Sequence, residues 1–282
     1  MATSRPSIAD KRRTFHQLHA SGCFVIPNPW DVGSARFLQG LGFKALATTS
    51  SGFAWSVACA DNSITRDMAL AHLHEMVAAT DVPINADFES GFAADAAGVA
   101  ESVRLAVGTG VAGLSIEDST GNAAQPLFDI DTAVARMRAA RGAIDKAGGD
   151  TLLVGRAEGF LVGRPDLDET IARLKAYAQA GADCLYAPAL RKREQIEAVV
   201  KAIAPKPFNL LIGWASDLTM ADVAAMGVRR VSVGGALARA AWGGFARAAR
   251  TIAEQGRFDG FADAMSGQEL NKFFSEDRAK RA

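Results

Sequence analysis

The chain has 282 residues, nearly half of them apolar, which is enough to bury a sizeable core. Lysine plus arginine and aspartate plus glutamate balance at 31 each, and no basic stripe with interleaved aromatics occurs, so nucleic acid is an unfavoured partner. The cysteines, Cys23, Cys59 and Cys184, are few and widely spaced, and fit neither a disulfide framework nor a zinc motif.

Residues 1–20 are polar and charged, without the apolar centre of a secretory signal. The apolar stretch from Val231 is interrupted by Arg239, Arg247 and Arg250, which argues against a membrane span. A cytoplasmic enzyme is the expectation. Along the chain, a helical pattern repeatedly closes on Gly and an apolar run follows within a few residues, as at Gly40, Gly110, Gly181 and Gly227. Eight such runs read as strands, near 23–28, 44–49, 83–89, 112–118, 152–157, 184–188, 208–212 and 230–234. Helical patterns lie between them, among them 66–79, 94–107, 130–147, 168–180, 193–203 and 219–226. Strands alternating with helices predict a parallel sheet, and eight units predict a (β/α)8 TIM-type barrel, with a doubly wound open sheet as the alternative. The whole chain, 1–282, reads as one barrel domain. A helix follows at 236–255, then a C-terminal helical extension, 256–282, with an extra helix over 258–274 and a charged, frayed end at 275–282. Gly108 to Gly113 matches the dinucleotide pattern G-x-G-x-x-G literally, but a helix precedes it and a strand follows, the reverse of the fingerprint, so it reads as a helix C-cap turn.

In a barrel of this kind chemistry sits at the C-terminal ends of the strands. The third run ends Asp87-Phe88-Glu89, the fourth Glu117-Asp118 and the fifth Arg156-Ala157-Glu158. By strand alternation Asp87 and Glu89 share a face, and Asp118 points away from Glu117. Hard oxygen ligands at strand ends suit Mg²⁺, with Mn²⁺ also possible. The competing reading is a buried ion-pair network of Asp87, Glu117 and Arg156. The second run ends at Ser50-Ser51-Gly52, either an anion-cradling nest of backbone N–H groups or a flexible turn. Gly234-Gly235 reads as close helix packing in preference to a phosphate site. No histidine or lysine falls at a strand end, which disfavours a histidine base, a Ser-His-Asp triad and a Schiff-base aldolase.

Residues 20–250 resemble the isocitrate lyase/phosphoenolpyruvate mutase superfamily. The resemblance is carried by Ser50-Ser51-Gly52-Phe53, Ala86-Asp87-Phe88-Glu89-Ser90-Gly91-Phe92, Ser115-Ile116-Glu117-Asp118-Ser119, Gly155-Arg156-Ala157-Glu158 and Gly181 to Pro188. It implies a barrel that assembles as a homo-oligomer, a dimer or tetramer, with the last helix exchanged between subunits. It also implies Mg²⁺ and a small-molecule α-oxo acid, or its enolate, as substrate. By position, Asp87 resembles the direct metal ligand, Glu89 and Glu117 the acids holding metal-bound waters, and Asp61 a third. Arg156 resembles the residue that holds the substrate's carboxylate or oxygen, and Ser51 and Gly52 the backbone donors to its anionic end.

One departure bears on the reaction. The cleaving lyases of the superfamily carry a Lys-x-Cys-Gly-His loop after the fourth strand, where this chain has Ser119 to Leu127 with no Cys, Lys or His. Asn122 persists, but the lysine of the mutase loop does not. The expected activity is therefore a Mg²⁺-dependent lyase acting on a small α-oxo or α-hydroxy acid, a dicarboxylate, through an enolate, of the oxaloacetate decarboxylase type. Decarboxylation needs no strong base; for aldol-type cleavage Glu158 is the available side-chain proton acceptor. Mutase or hydrolase chemistry at a C–P bond is the alternative, and a non-catalytic α-oxo-acid binder the third reading. Selectivity is expected from the loop and from residues such as Trp55, Tyr186, Asn209 and Trp214.

Overall fold

The computed structural model describes residues 5–281; residues 1–4, part of the signal-segment reading, and Ala282, the end of the charged tail, lie outside the described residues. Eight parallel strands alternate with helices. In chain order they are α1 (Ile8–Ala20), β1 (Phe24–Ile26), α2 (Val32–Gly40), β2 (Leu46–Ala47), α3 (Ser50–Ser56), α4 (Arg66–Ala79), β3 (Ile84–Asp87), α5 (Ala96–Gly108), β4 (Gly113–Glu117) and α6 (Ile130–Lys146). There follow β5 (Leu152–Arg156), α7 (Leu167–Gln179), β6 (Cys184–Tyr186), α8 (Arg193–Ile203), β7 (Phe208–Leu211), α9 (Met220–Ala225), β8 (Arg230–Ser232), α10 (Ala236–Gln255) and α11 (Gly267–Ala279).

The sheet order is β1-β8-β7-β6-β5-β4-β3-β2, each neighbour parallel. The seam between β1 and β2 is bridged where Ala47 N–H donates to the Pro27 carbonyl at 3.1 Å, so the ring is nearly closed and the fold is a TIM-type barrel. All eight expected strands are present, each shorter by one to four residues than the apolar run that announced it. The Gly108–Gly113 segment is the C-cap turn expected of it, with Gly110 at φ +90° between α5 and β4.

The main core lies between barrel and helices, where both faces of each strand are covered. Inside the barrel a lower apolar plug is formed by Phe15 of α1 with Ile26, Ala45, Ala47, Ala112 and Leu152. α1 therefore caps the N-terminal face. Above that plug the interior turns polar, unlike the branched apolar layers usual in such barrels.

Two expectations for the C-terminal region are corrected. The helix expected over 258–274 is split into a 3₁₀ turn, Asp259–Phe261, and α11, because Ser266 and Glu269 form a capping box that starts the helix at Gly267. The end is not frayed from 275: α11 runs to Ala279, anchored on α2 by the buried Arg36–Asp277 ion pair (Nε to Oδ2, 2.9 Å) and by Phe273 against Phe37.

Candidate active site

The site is assembled by sheet register. Parallel pairing sets Glu117 of β4 beside Arg156 of β5, and Asp87 of β3 beside Ser115 of β4. The Arg156 guanidinium reaches all the neighbouring acids: Nη1 lies 3.2 Å from Asp87 Oδ1 and 3.0 Å from Glu117 Oε2, and Nε is bonded to Glu158. Its face stacks on Tyr186 of β6, with Cζ 5.0 Å from the ring centroid. The other oxygen of Asp87, Oδ2, accepts from both the N–H (2.9 Å) and the hydroxyl (3.0 Å) of Ser50.

The Ser50-Ser51-Gly52 segment is a helix start, not a flexible turn: Thr49 caps α3 by accepting from Gly52 N–H. Ser50 N–H is thus committed to Asp87 and Gly52 N–H to Thr49, while Ser51 N–H has no partner among the described residues. Gly52 is a packing position, since a Cβ there would stand 2.6 Å from Thr49 Cγ2 and 3.2 Å from Ala238 of α10. Gly235 is alike, with a Cβ 2.8 Å from Ser51 Oγ, which agrees with close packing at Gly234-Gly235.

Strand alternation does not carry Glu89 onto the Asp87 face, because β3 stops at Asp87 and Glu89 takes a left-handed backbone, φ +47°. Non-glycine residues hold that conformation only under constraint. Here Glu117 N–H donates to the Glu89 carbonyl at 3.0 Å, and Arg136 of α6 clamps the carbonyls of Ser90, Ala93 and Ala94. The Glu89 carboxylate is left with a buried Oε1 that has no hydrogen-bond partner among the described residues.

A cavity of about 420 Å³ opens at the C-terminal mouth. Of the expected residues it brings together Ser50, Ser51, Asp61, Asp87, Arg156 and Asn209 on one wall system. Glu117 and Glu158 stand behind Arg156, and Gly52 behind Thr49. Asn122 is not brought to the cavity: it is exposed, within a small hairpin closed by a Ser119–Leu127 bridge, and its Oδ1 accepts from Ala124 N–H at 2.9 Å. Asp118 turns outward as expected, and is buried against Arg173 (3.0 Å) and Tyr177 (2.5 Å) of α7 while its Oδ1 accepts from Glu158 N–H at 2.8 Å. The residues that strand-end reading missed belong to the polar floor: Asn85, Ser115, Arg230 and Ser232. The signal was available, because Asn85 and Ser115 stand two residues before Asp87 and Glu117 and so face the same way.

Five carboxylates, those of Asp61, Asp87, Glu89, Glu117 and Glu158, act on one another around the single guanidinium of Arg156. Burial, then Asp87 and Asp61, pushes Glu89 up to about 7. Burial pushes Glu158 to about 7 against the pull of Arg156, and drives Glu117 well above the ordinary carboxylate range. Such a cluster takes up protons or a cation. Asp87, Glu89 and Glu117 do not converge as a three-carboxylate cage, and no group of three metal-binding side chains occurs among the described residues, because Arg156 lies between Asp87 and Glu117. A hydrated hard cation needs only one or two carboxylates, however, and the excess acids and the orphaned Glu89 Oε1 fit that kind of ion.

Comparison with known proteins accords with the barrel fold. A family model described as phosphoenolpyruvate phosphomutase matches residues 15–253. A crystal structure from Burkholderia cenocepacia J2315, described as a lyase/mutase, superposes with a TM-score of 0.91 at 46% identity over 95% of this chain and 97% of that one. The structure of 2,3-dimethylmalate lyase, a PEP mutase/isocitrate lyase superfamily member, gives a TM-score of 0.83 at 27% identity over 96% and 95%. An oxaloacetate decarboxylase of Paraburkholderia xenovorans is 29% identical over 229 residues, 78% of this chain and 74% of the relative. The fold is a TIM-type barrel shared with lyases and mutases. The chain belongs to the phosphoenolpyruvate mutase family, within the superfamily of lyases and mutases that includes isocitrate lyase.

Proposed function

We propose that this protein is a divalent-cation-dependent carbon–carbon lyase that decarboxylates a small α-oxo acid of the oxaloacetate type through an enolate. The observation that carries this reading is the composition of the cavity wall. It presents Asp87, Arg156 and Tyr186 but no cysteine, histidine or lysine. Loss of CO₂ needs stabilisation of developing negative charge and no strong base, whereas aldol cleavage needs a proton acceptor.

Asp87 would hold Mg²⁺ or a similar ion directly, with Glu89, Glu117 and Asp61 supporting its hydration. When bound, that ion supplies Lewis-acid polarisation of the substrate's oxo oxygen. Arg156 binds the anionic oxygen of the substrate and steadies it as charge builds, a differential interaction that lowers the barrier. Its orientation is set beforehand by Glu117 and Glu158, so little reorganisation is needed. Ser51 N–H donates to the substrate carboxylate. The Tyr186 hydroxyl, held protonated because burial pushes it up to about 12, is the phenolic O–H on the wall, more acidic than the serine and threonine hydroxyls around it, for returning a proton to the enolate carbon.

The test is oxaloacetate decarboxylation in magnesium-containing buffer. Wild type is expected to exceed the rate of free magnesium, and Asp87→Ala to lose at least about 100-fold, on the scale of removing a charge-stabilising group. Equal rates in the two proteins would sink the reading. Turnover of phosphonopyruvate seen by phosphorus NMR, with none of oxaloacetate, would instead assign the site to C–P chemistry. Stabilisation by α-oxo acids without turnover of a broad panel would make it a binding protein.

A further inference from the structure

Arg230 lies on the cavity floor, on the inward face of β8, and is 2% exposed. The other buried arginines are paired with carboxylates or lie off the cavity. Arg12 pairs with Asp150, Arg36 with Asp81 and Asp277, Arg173 with Asp118, and Arg156 with three acids. Arg136 has no carboxylate but is bonded to three carbonyls and does not line the cavity.

Arg230 has no carboxylate partner among the described residues. Its Nε donates to Asn209 Oδ1 at 2.7 Å, and its Nη1 to Asn85 Oδ1 at 3.3 Å. Each of those amides is locked with its oxygen toward the guanidinium by its own donor: Asn209 Nδ2 bonds Ser232 Oγ (3.0 Å) and Asn85 Nδ2 bonds the Ala86 carbonyl (3.1 Å). From below, His19 Nε2 stands 3.3 Å from Nη1. The His19 Nδ1 faces the Phe15 carbonyl at 2.7 Å, and a carbonyl only accepts, so Nδ1 carries the proton and Nε2 offers a lone pair to the arginine. Burial, then the charge of Arg230, pushes His19 down to about 3, so it is neutral at pH 7.

Three neutral acceptors thus orient the guanidinium and none cancels its charge. Nη2 makes no hydrogen bond to the described residues. A buried cation without a counter-charge is costly, and the cost is relieved if an anion enters. Arg156 is in a different state, because Asp87, Glu117 and Glu158 already share its charge and fix its orientation.

We propose that Arg230 is a second anion receptor in this cavity, taking the distal carboxylate of a dicarboxylic acid whose α-oxo or α-hydroxy end lies at Arg156 and Ser51. The proposal rests on the α-oxo-acid reading of the cavity and adds what selects among such acids: the pairing is made with the intact acid and is lost as that carboxylate leaves as CO₂, so Arg230 contributes binding and selection and not barrier lowering. A monocarboxylate leaves the floor charge unanswered, whereas a dicarboxylate answers it with the planar, forked pairing that guanidinium and carboxylate favour.

Calorimetry in magnesium-containing buffer separates the possibilities, using malate and lactate, stable acids that differ by the distal carboxylate alone. Wild type is expected to bind malate more tightly than lactate. Arg230→Gln is expected to weaken malate by about 10- to 100-fold, the span of a charge-assisted hydrogen bond, with lactate held within about 2-fold. Arg230→Lys, which keeps the charge without the fork, is expected to fall between and serves if the glutamine variant does not fold by circular dichroism. Equal loss of both ligands, or malate binding unchanged in a folded variant, overturns the assignment of Arg230 and leaves the α-oxo-acid reading standing. Wild type with no preference for malate overturns the assignment whether or not the variants fold. Wild type that binds neither acid removes both readings.

Discussion

At the scale of single residues, the unusual feature is a surplus of carboxylates in a place that disfavours their charge. Glu89 and Glu158 are both displaced to about 7, mainly by burial. In the unfolded chain each titrates near the ordinary value of about 4.3. Between those values the folded protein binds more protons than the unfolded one, so stability falls as pH rises. Metal-free protein is therefore expected to lose stability on going from pH 5 to pH 8, on the order of 3 kcal/mol for Glu158 alone. Magnesium at millimolar concentration should restore part of it at pH 8 and little at pH 5. Urea denaturation across that range, with and without the ion, reads both effects; stability that rises with pH in the metal-free protein would refute the account. Asp87, Glu117 and Arg156 could be named in advance because each ends an apolar run. Glu89 was named for the wrong geometric reason, since period-two alternation ends with the strand at Asp87 and a left-handed turn takes over.

At the scale of elements, the strand ends are positioned from outside the barrel. Asp118, one residue beyond β4, ties that strand to α7 through Arg173 and Tyr177 and to β5 through the Glu158 N–H. Asp118→Ala leaves the buried Tyr177 hydroxyl and the Glu158 N–H without their acceptor, while Arg173 keeps Glu169 and the Phe128 carbonyl, an expected loss of roughly 2–4 kcal/mol in urea denaturation. If the protein remains folded, Glu158 loses the bond that sets its backbone, and the decarboxylation rate should fall with it. A change under about 1 kcal/mol would show that the network contributes little. Strand and helix patterns announced the elements well, because β/α alternation and glycine caps are local features. The boundaries were too generous because apolar runs continue into the loops, where hydrogen bonding along the ladder has already stopped.

At the scale of the whole molecule, the barrel leaves one apolar face uncovered. α10 is 20 residues long with only Ala238 fully buried, and Leu237, Trp242, Phe245, Phe258, Phe261 and Met265 are exposed along α10 and the segment after it. A face of that kind marks an interaction surface. We propose that it is covered by a second copy of the chain, as expected for a homo-oligomer in which 256–282 packs on or exchanges with a neighbour. Multi-angle light scattering is expected to give a dimer or tetramer, and Phe245→Glu with Trp242→Glu a smaller species. A wild-type monomer at micromolar concentration would overturn this. In the described residues α11 packs on α2 of its own chain, an arrangement that Arg36 and Asp277 hold across 241 positions of sequence.

That separation illustrates the division between what sequence alone determined and what required the fold. The eight-unit barrel, the family resemblance and the acids at the ends of β3 and β4 were legible from local order, because periodicity and glycine caps act over a few residues. The missing Cys, Lys and His after β4 was legible in the same way. Only tertiary structure decided which donors were free and which were already spent. Ser50 is held by Asp87, Gly52 is a packing site, Arg156 is opposed by three acids, and Arg230 is surrounded by neutral acceptors drawn from α1, β3 and β7. The reason is physical: a side chain's effective charge in a buried cavity depends on partners that sequence places far away and barrel closure brings within about 3 Å of it.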